Sequence, residues 1–168
     1  NVGDLVASVN YFSVVVNDDN IGSSTGNNDG LANPGETVEL TLQLVNNGTG
    51  GVNDVTADIG AGNPLVSVFQ ATSGYGYIAT GTTAVGATNY VINLDPSLPG
   101  GSTVTLELVA TDGIESWTSL VEIPVSGAAA ETQLVTLSTG TINPGQAASL
   151  EVTLANVGDL ATAGATAT

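Results

Sequence analysis

Apolar and polar residues alternate along most of this chain. Residues 38–44 read VELTLQL and residues 104–108 read VTLEL, so the apolar side chains of each run share one face at a period of two. This period is typical of antiparallel strands that bury one face. The runs are short and are separated by clusters rich in Asn, Gly and Pro, at 46–48, 60–64 and 99–101, which favour turns. The pattern predicts an all-β antiparallel sandwich without helices.

The same pattern gives the extent of each strand and divides the chain into modules. A complete sandwich is predicted over residues 1–126, a linker of small residues over 127–131, and a partial second β module over 132–168. The predicted strands span residues 5–16, 36–45, 52–59, 65–70, 75–79, 88–94, 102–111, 116–125, 132–138, 147–155 and 161–167.

An internal repeat supports the second module. Residues 143–167 align with residues 33–57 without a gap, at a separation of 110 positions. Because the repeat reaches only about three strands before Thr168, we expect the second module to be incomplete and to have open strand edges. The recurring residues are Asn33, Pro34, Gly35, Leu40, Leu44, Asn46, Gly48, Thr56 and Ala57, which match Asn143, Pro144, Gly145, Leu150, Leu154, Asn156, Gly158, Thr166 and Ala167.

Two segments of the chain resemble a known family. NNDGLANPGETVELTLQLVNNGTGGVNDVTADI resembles the start of the immunoglobulin-like modules attached to secreted bacterial and archaeal peptidases and surface proteins, of the gingipain C-terminal and cell-adhesion-related types. YGYIATGTTAVGATNYVINLDPSLPGGSTVTLELVATDGIESWTSLVEIPV is similar to the second half of such modules. The resemblance covers residues 14–126 well and residues 133–168 in part. It implies an immunoglobulin-like sandwich, an extracellular or cell-surface location and no catalytic activity.

Basic side chains are absent from the sequence. The 168 residues include 16 Asp and Glu and no Lys, Arg or His, which gives a net charge of −16. No side-chain salt bridge can form, and copies of the chain repel one another, so a metal ion is expected to be required for self-association. Nucleic acid is excluded as a partner because phosphate binding depends on Lys and Arg. Membrane insertion is not expected, because no run of residues approaches the ~18 apolar residues of a membrane helix.

The composition also limits the chemistry that the chain can perform. With no His and no Cys, nucleophile systems of the Ser-His or Cys-His kind and zinc sites built from imidazole or thiolate are excluded. A glycosidase with two paired carboxylates is compatible with the composition. The remaining acidic residues are scattered, however, and solvated strand edges are the commoner interpretation. We therefore expect a protein that is not an enzyme.

One acidic stretch before the Asn-Pro-Gly turn, together with Glu36 directly after the turn, is a candidate calcium site. Asp18, Asp19, Asn27, Asp29 and Glu36 supply carboxylate and amide oxygens at short spacing, with glycines between them. Calcium takes six to eight oxygen ligands and is bound by flexible loops. The alternative is an ordinary turn rich in Asn and Asp, which these residues also favour. The matching stretch of the second module lacks the acidic residues, so a site is expected in the first module only.

Two further features concern carbohydrate, as a covalent modification or as a bound ligand. Asn47, Gly48 and Thr49 form an N-glycosylation sequon in a predicted turn, although a bare Asn-Gly turn has the same sequence. The larger aromatic residues are expected in the core and on sheet faces instead of forming a glycan-binding platform. These residues are Phe69, Tyr75, Tyr77, Tyr90 and Trp117.

Three functions agree with these observations. The first is an extracellular structural subunit that self-assembles head to tail into a filament, sheath or surface layer. The second is a spacer or adhesin segment of a longer tandem-repeat surface protein. The third is a noncatalytic accessory module of a secreted hydrolase that binds a surface glycan.

The first function comes with a specific hypothesis of donor-strand complementation. Leu150, Val152 and Leu154 define an apolar face that no strand before Thr168 is expected to cover. A neighbouring subunit could add a strand to the open edge. Residues 5–16 are the predicted donor, with Phe12, Val14 and Val16 expected on one face.

Overall fold

The computed structural model describes residues 5–137, 144, 145 and 147–158. Their regular elements are all β-strands, as the alternating pattern predicts, and every pairing between them is antiparallel. Within these ranges, no helix is long and apolar enough to cross a membrane. The strands are β1 Val9–Asn17, β2 Thr37–Asn46, β3 Val52–Ala61, β4 Val66–Gln70, β5 Thr72–Ile78, β6 Thr83–Val85, β7 Tyr90–Leu94, β8 Thr103–Thr111, β9 Ser116–Pro124, β10 Ala130–Leu137 and β11 Leu150–Asn156.

The first nine strands form two sheets that enclose one core. The first sheet has the order β1-β2-β7-β4, with β6 also paired to β2, and the second has the order β5-β3-β8-β9. Side chains of β2 and β8 alternate between buried and more exposed positions along each strand. The buried set includes Leu40, Leu42 and Leu44 of the first sheet and Leu106 and Leu108 of the second. Burial of each such side chain contributes about 1.5–3 kcal/mol, which explains why the alternation fixes the fold.

Strand β1 differs from the simple period-two prediction. A register shift between Tyr11 and Ser13 places a β-bulge in this strand. The bulge inserts one extra residue and so changes which side chains face the core. Val14 and Val16 pack against the core together with Tyr11, whereas Phe12 is 57 % exposed. The prediction that Phe12 shares a face with the two valines is therefore wrong.

The second module is represented by a hairpin of two strands, β10 and β11. Strand β10 begins at Ala130, inside the stretch predicted as a linker over 127–131, because Ala130 already pairs with Asn156. The connection between the first sandwich and this hairpin is therefore shorter than the small residues suggest. The third strand predicted for this module, at 161–167, lies outside the described residues.

Candidate functional site

The acidic loop, residues 18–36, connects β1 to β2 at one end of the sandwich. Two isolated bridges attach it to the rest of the fold. Thr25 pairs with Thr37 at the start of β2, and Ala32 pairs in parallel with Val125 just after β9. The backbone N–H groups of Thr25 and Thr37 donate to each other's carbonyl oxygens at 2.8 and 3.0 Å. The loop is thus an ordered part of the module.

Asp18 lies at the centre of this loop and is only 1 % exposed. Its two carboxylate oxygens accept bonds from the backbone N–H groups of Gly30 at 2.9 Å and Asp29 at 3.1 Å. Burial raises the pKa of this carboxyl, but the backbone N–H groups that donate to the carboxylate outweigh burial and hold the pKa below its ordinary value. Asp18 is therefore an anion that organises the loop around itself.

Glu36 is buried at the other end of the loop. Its carboxylate accepts one bond from the backbone N–H of Asn27 at 3.0 Å and another from that of Asn33 at 3.1 Å. Burial raises the pKa of Glu36; these two N–H groups lower it, and the charges of Asp18 and Asp29 raise it further. The net result is a pKa above the ordinary value, so ionisation of this buried carboxyl is costly.

The remaining candidate ligands form local turns. Asp19 Oδ1 accepts from the backbone N–H of Ile21 at 2.9 Å, and Asp29 Oδ1 accepts from that of Leu31 at 2.8 Å. Asn27 Oδ1 accepts from the N–H of Asp29 at 2.9 Å. Each bond spans two residues and closes the short turn that Asn and Asp side chains favour.

The side-chain bonds within the loop are those of turns rich in Asn and Asp, the alternative that the sequence leaves open beside a calcium site. Calcium needs six to eight converging oxygens. Among the described residues, no group of three or more acidic side chains is placed to hold a metal ion. The five predicted ligands do share one loop, but their side-chain oxygens accept hydrogen bonds from backbone N–H groups of that loop and, at Asp19, also from the Ser24 hydroxyl. Calcium binding at Asp18, Asp19, Asn27, Asp29 and Glu36 stays a prediction from the sequence.

The second hairpin, β10 with β11, reproduces the pairing of β1 with β2. Val9 pairs with Asn46 at the end of one hairpin, and Ala130 pairs with Asn156 at the end of the other. The register shift between Tyr11 and Ser13 recurs at the corresponding place in β10, between Thr132 and Leu134. The sequence repeat included β2 and β11 but neither β1 nor β10. The matching bulge extends the repeat to β1 and β10, whose sequences show no obvious similarity.

The two hairpins also share a cap built on one asparagine. Asn46 and Asn156 each accept two backbone N–H bonds through the side-chain oxygen. One donor precedes the first strand and the other lies two residues after the asparagine. The donors are Ser8 and Gly48 for Asn46, at 3.1 and 2.9 Å, and Ala129 and Gly158 for Asn156, at 3.0 and 3.1 Å.

The glycine of each cap has a steric reason to recur. A Cβ at Gly48 would overlap the carbonyl oxygen of Val6, and a Cβ at Gly158 would overlap that of Gly127. The chain that leads into each hairpin passes too close for any side chain. The recurrence of Asn and Gly in the sequence repeat is therefore explained by this cap.

The apolar face of the second hairpin is uncovered among the described residues. In the first module, the opposite sheet buries Leu40, Leu42 and Leu44 completely. The residues in the same register of β11 are Leu150, Val152 and Leu154, which are 59, 41 and 41 % exposed. Val135 and Leu137 of β10 are also exposed. These five residues are called the open face below. The two hairpins thus differ in the exposure of this apolar face.

The acidic loop has no counterpart of equal length in the second module. Ala130 follows Val9 by 121 positions, whereas Asn156 follows Asn46 by 110. The segment that joins the paired strands is therefore 11 residues shorter in the second hairpin. The missing length corresponds to the part of the first module that carries the acidic residues. The expectation of a calcium site in the first module only stays a prediction from the sequence.

Some of the five larger aromatic side chains lie in or against the core, and the others are exposed. Tyr75 and Tyr90 are buried in the core, and Trp117 packs against it, as expected. Phe69 and Tyr77 are exposed. They lie on β4 and β5, which belong to different sheets.

The sequon lies in the turn between β2 and β3. Asn47 is exposed, and its backbone N–H donates to the carbonyl oxygen of Ser8 at 2.8 Å. Thr49 Oγ1 accepts a bond from the N–H of Val6 at 3.1 Å. The turn is compatible with both a bare Asn-Gly turn and a glycosylated one.

No protein-family model matches the chain, and a comparison with curated proteins finds no match either. The resemblance to immunoglobulin-like surface modules therefore depends on the quoted sequence segments.

Proposed function

We propose that this chain is a structural subunit of an extracellular or cell-surface assembly and that copies of it associate through the second hairpin. One observation carries the proposal. The second hairpin repeats the register, bulge and cap of β1 and β2, but it exposes the apolar face that the first module buries. Each square ångström of apolar surface left in water costs about 25 cal/mol. A two-stranded hairpin is at best marginally stable alone, so its open face favours a partner.

A second copy of the chain is the partner that best fits this face. In the first module, the apolar face of β1 and β2 packs against the inner face of the opposite sheet, β5-β3-β8-β9. A sheet of this kind is what another copy of the chain can supply. Among the described residues, β11 pairs with β10 only, whereas β2, its counterpart in the first module, also pairs with β7 and β6. Strands of another copy can add to the other edge of β11 through main-chain hydrogen bonds. A head-to-tail contact of this type gives an open filament unless the rotation closes a ring.

The donor predicted from the sequence requires a change. Residues 5–16 largely coincide with β1, which pairs along its length with β2 of the same chain. Val9 is buried in the core of that module. Donation of this strand to a neighbour would open its own sandwich. The proposal therefore keeps association at the open face and the β11 edge and no longer uses residues 5–16 as the donor.

Charge sets a condition on assembly. Each copy has a net charge of −16 and no basic side chain to form cross-subunit ion pairs. Repulsion between copies opposes close packing. We propose divalent cations, calcium first among them, as the counter-ions that allow association. The support for this part is the charge of the chain and not a set of converging ligands.

A tandem array is the second candidate. The repeated hairpin cap and the short connection support an arrangement in which one module follows another along the same chain. In a longer protein, further strands of that chain could cover the open face, and the chain would then be a spacer or adhesin segment. The accessory carbohydrate-binding function has weaker support, because Phe69 and Tyr77 do not lie on one sheet.

The open face can be tested with two variants of equal charge. Val152→Asp places a carboxylate on the open face, and Thr153→Asp places one on the opposite face of the same exposed strand. We expect the 168-residue chain to form polymers with calcium present, Thr153→Asp to retain them and Val152→Asp to stay monomeric. Light scattering after size exclusion and negative-stain electron microscopy are the measurements. A monomeric parent chain, or a polymer unaffected by Val152→Asp, would overturn the proposal.

A further inference from the structure

The acidic loop is hydrogen-bonded to the connector, residues 126–129, which leads into the second hairpin. The backbone N–H of Ser126 donates to the carbonyl oxygen of Ala32 at 2.9 Å. The side-chain amide of Asn33 donates to the carbonyl oxygen of Ser126, also at 2.9 Å. Both Asn33 and Ser126 are buried. Loss of such a bond leaves a buried, desolvated polar group, and this costs more free energy than the bond itself contributes to stability.

Asn33 is itself fixed by the loop. Its backbone N–H donates to Glu36 Oε2 at 3.1 Å, and its side-chain oxygen accepts from the side-chain amide of Asn27 at 3.3 Å. Glu36 Oε1 accepts from the backbone N–H of Asn27. Asn27 and Glu36 thus hold the orientation of the Asn33 amide that reaches Ser126.

The next residue of the connector is also seated on the first module. A Cβ built on Gly127 would lie 3.1 Å from Gly100 Cα and 3.2 Å from Pro34 Cδ. A Cβ built on Gly100 would overlap the carbonyl group of Gly127. Glycine at both positions lets the two backbones approach closely. The connector is therefore in contact with the first module as far as Gly127.

Little chain is left between this contact and the second hairpin. Ala129 already belongs to the hairpin cap, through its N–H bond to Asn156 and the bond that its carbonyl oxygen accepts from Val157 at 2.7 Å. Ala128 alone separates the seated residues from the cap. A connector of small residues would otherwise behave as a flexible linker.

We infer that Asn33 is a positioning residue through which the acidic loop fixes the direction of the second hairpin relative to the first module. The hydrogen bonds between the loop and the connector lie within one chain, so this role of Asn33 does not depend on self-assembly. It gives the loop a function that the sequence alone does not indicate. Glu36 and Asn33 thereby belong to one hydrogen-bond path that runs from the acidic loop to Ser126.

Pulsed electron spin resonance can test this coupling, because the chain contains no cysteine to interfere. Thr118→Cys on β9 and Thr153→Cys on β11 are exposed positions for two spin labels. Labelled chain is diluted into an excess of unlabelled chain, so that only distances within one molecule are measured. We expect one narrow distance distribution. Asn33→Ala should broaden it to about twice its width or more, because the freed segment then resembles a flexible linker.

Further variants keep the test informative if Asn33→Ala does not fold. Gly127→Ala disturbs the seat against Gly100 and Pro34 without a change in the acidic loop, and it should also broaden or shift the distribution. Asn63→Ala removes a side-chain bond to Leu65 in a distant turn and should leave the distribution unchanged. Trp117 fluorescence reports whether the first module is folded. A broad distribution in the parent chain, or a narrow one in folded Asn33→Ala and Gly127→Ala, would overturn the inference.

Discussion

Two buried carboxylates in the acidic loop are stabilised without a cationic side chain. Asp18 and Glu36 each accept two bonds from backbone N–H groups, and the chain has no Lys, Arg or His to pair with them. Charge-assisted bonds of this kind are stronger than those between neutral groups. The two residues still differ in sign of pKa shift, because burial and neighbouring anions prevail at Glu36 whereas the amides prevail at Asp18.

These opposite shifts predict an optimum of stability in mild acid. The lowered pKa of Asp18 gives a contribution that is present above the ordinary value of 3.8 and is lost as the pH falls through the folded-state pKa. The raised pKa of Glu36 gives a contribution that is present below the ordinary value of 4.5 and is lost as the pH rises through its folded-state pKa. Melting temperature measured against pH should therefore be highest between these two values and decline toward neutral pH. Glu36→Gln should reduce the decline on the neutral side, and a parent curve that rises steadily to pH 7 would contradict the assignment.

Substitution of Asp18 separates the amide interpretation of the loop from a calcium site. Asp18→Asn should destabilise the first module by about 1–3 kcal/mol, because an N–H of the loop loses its buried acceptor. If amides alone hold the loop, a chelator leaves the melting temperature of the parent chain unchanged. A melting temperature that rises with added calcium, and no longer does so in Asp29→Asn, would instead establish the calcium site predicted from the sequence. Asp112→Asn, which changes a carboxylate in a different and exposed turn, is the control.

At the scale of elements, alternation predicted the strands whose side chains simply alternate. Strands β2 and β8 were found within one residue of the predicted bounds, because their inward positions are aliphatic except for Asn46 at the end of β2. The bulge in β1 escaped prediction, because nothing in residues 11–13 marks an extra residue. Strand β6, Thr83–Val85, was also missed, since three residues are too few to show a period. It exists because it pairs with Gln43–Val45 of β2, a contact distant in sequence.

The candidate site was predictable only in its composition. Asp18, Asp29 and Glu36 were identified from the sequence as belonging to one loop, and they do. Their amide partners could not be identified, because those depend on the path of the loop backbone, which includes positive φ at Asn20 and Asn28. The bond from Asn33 to Ser126 spans 93 positions and left no pattern in the sequence.

The caps of the two hairpins give a prediction at this scale. Gly48→Ala should lower the melting temperature of the first module, because a Cβ there overlaps the chain at Val6. Gly158→Ala should disturb the second hairpin and leave the first module unchanged. Gly60→Ala is the matched control, since a Cβ at that position would contact nothing within 4 Å. Trp117 fluorescence and hydrogen exchange of the β11 amides report on the two modules separately. Equal effects of all three substitutions would contradict the assignment of the caps.

At the scale of the whole molecule, the protein combines a fully satisfied interior with an unbalanced surface. Within the part of the chain that the structure describes, every buried side-chain nitrogen and oxygen has a hydrogen-bond partner. The charge of −16 must therefore be balanced from solution and not by contacts inside the fold. High net charge keeps copies apart in dilute salt. The open face favours their association, so ionic conditions should decide which tendency prevails.

The repeated hairpin has a consequence for folding kinetics. Strands β1 and β10 have the same bulge position and the same cap, so β1 could pair wrongly with β11, or β10 with β2, during folding. Residues 18–36 separate β1 from β2 and residues 138–149 separate β10 from β11, whereas most of the chain separates β1 from β11, and strands β3–β9 separate β2 from β10. Each doubling of loop length costs only about 0.6 kcal/mol of closure entropy. Local pairing is thus faster, but the margin is small, and exchange of hairpin strands between molecules should increase when the chain refolds at high concentration.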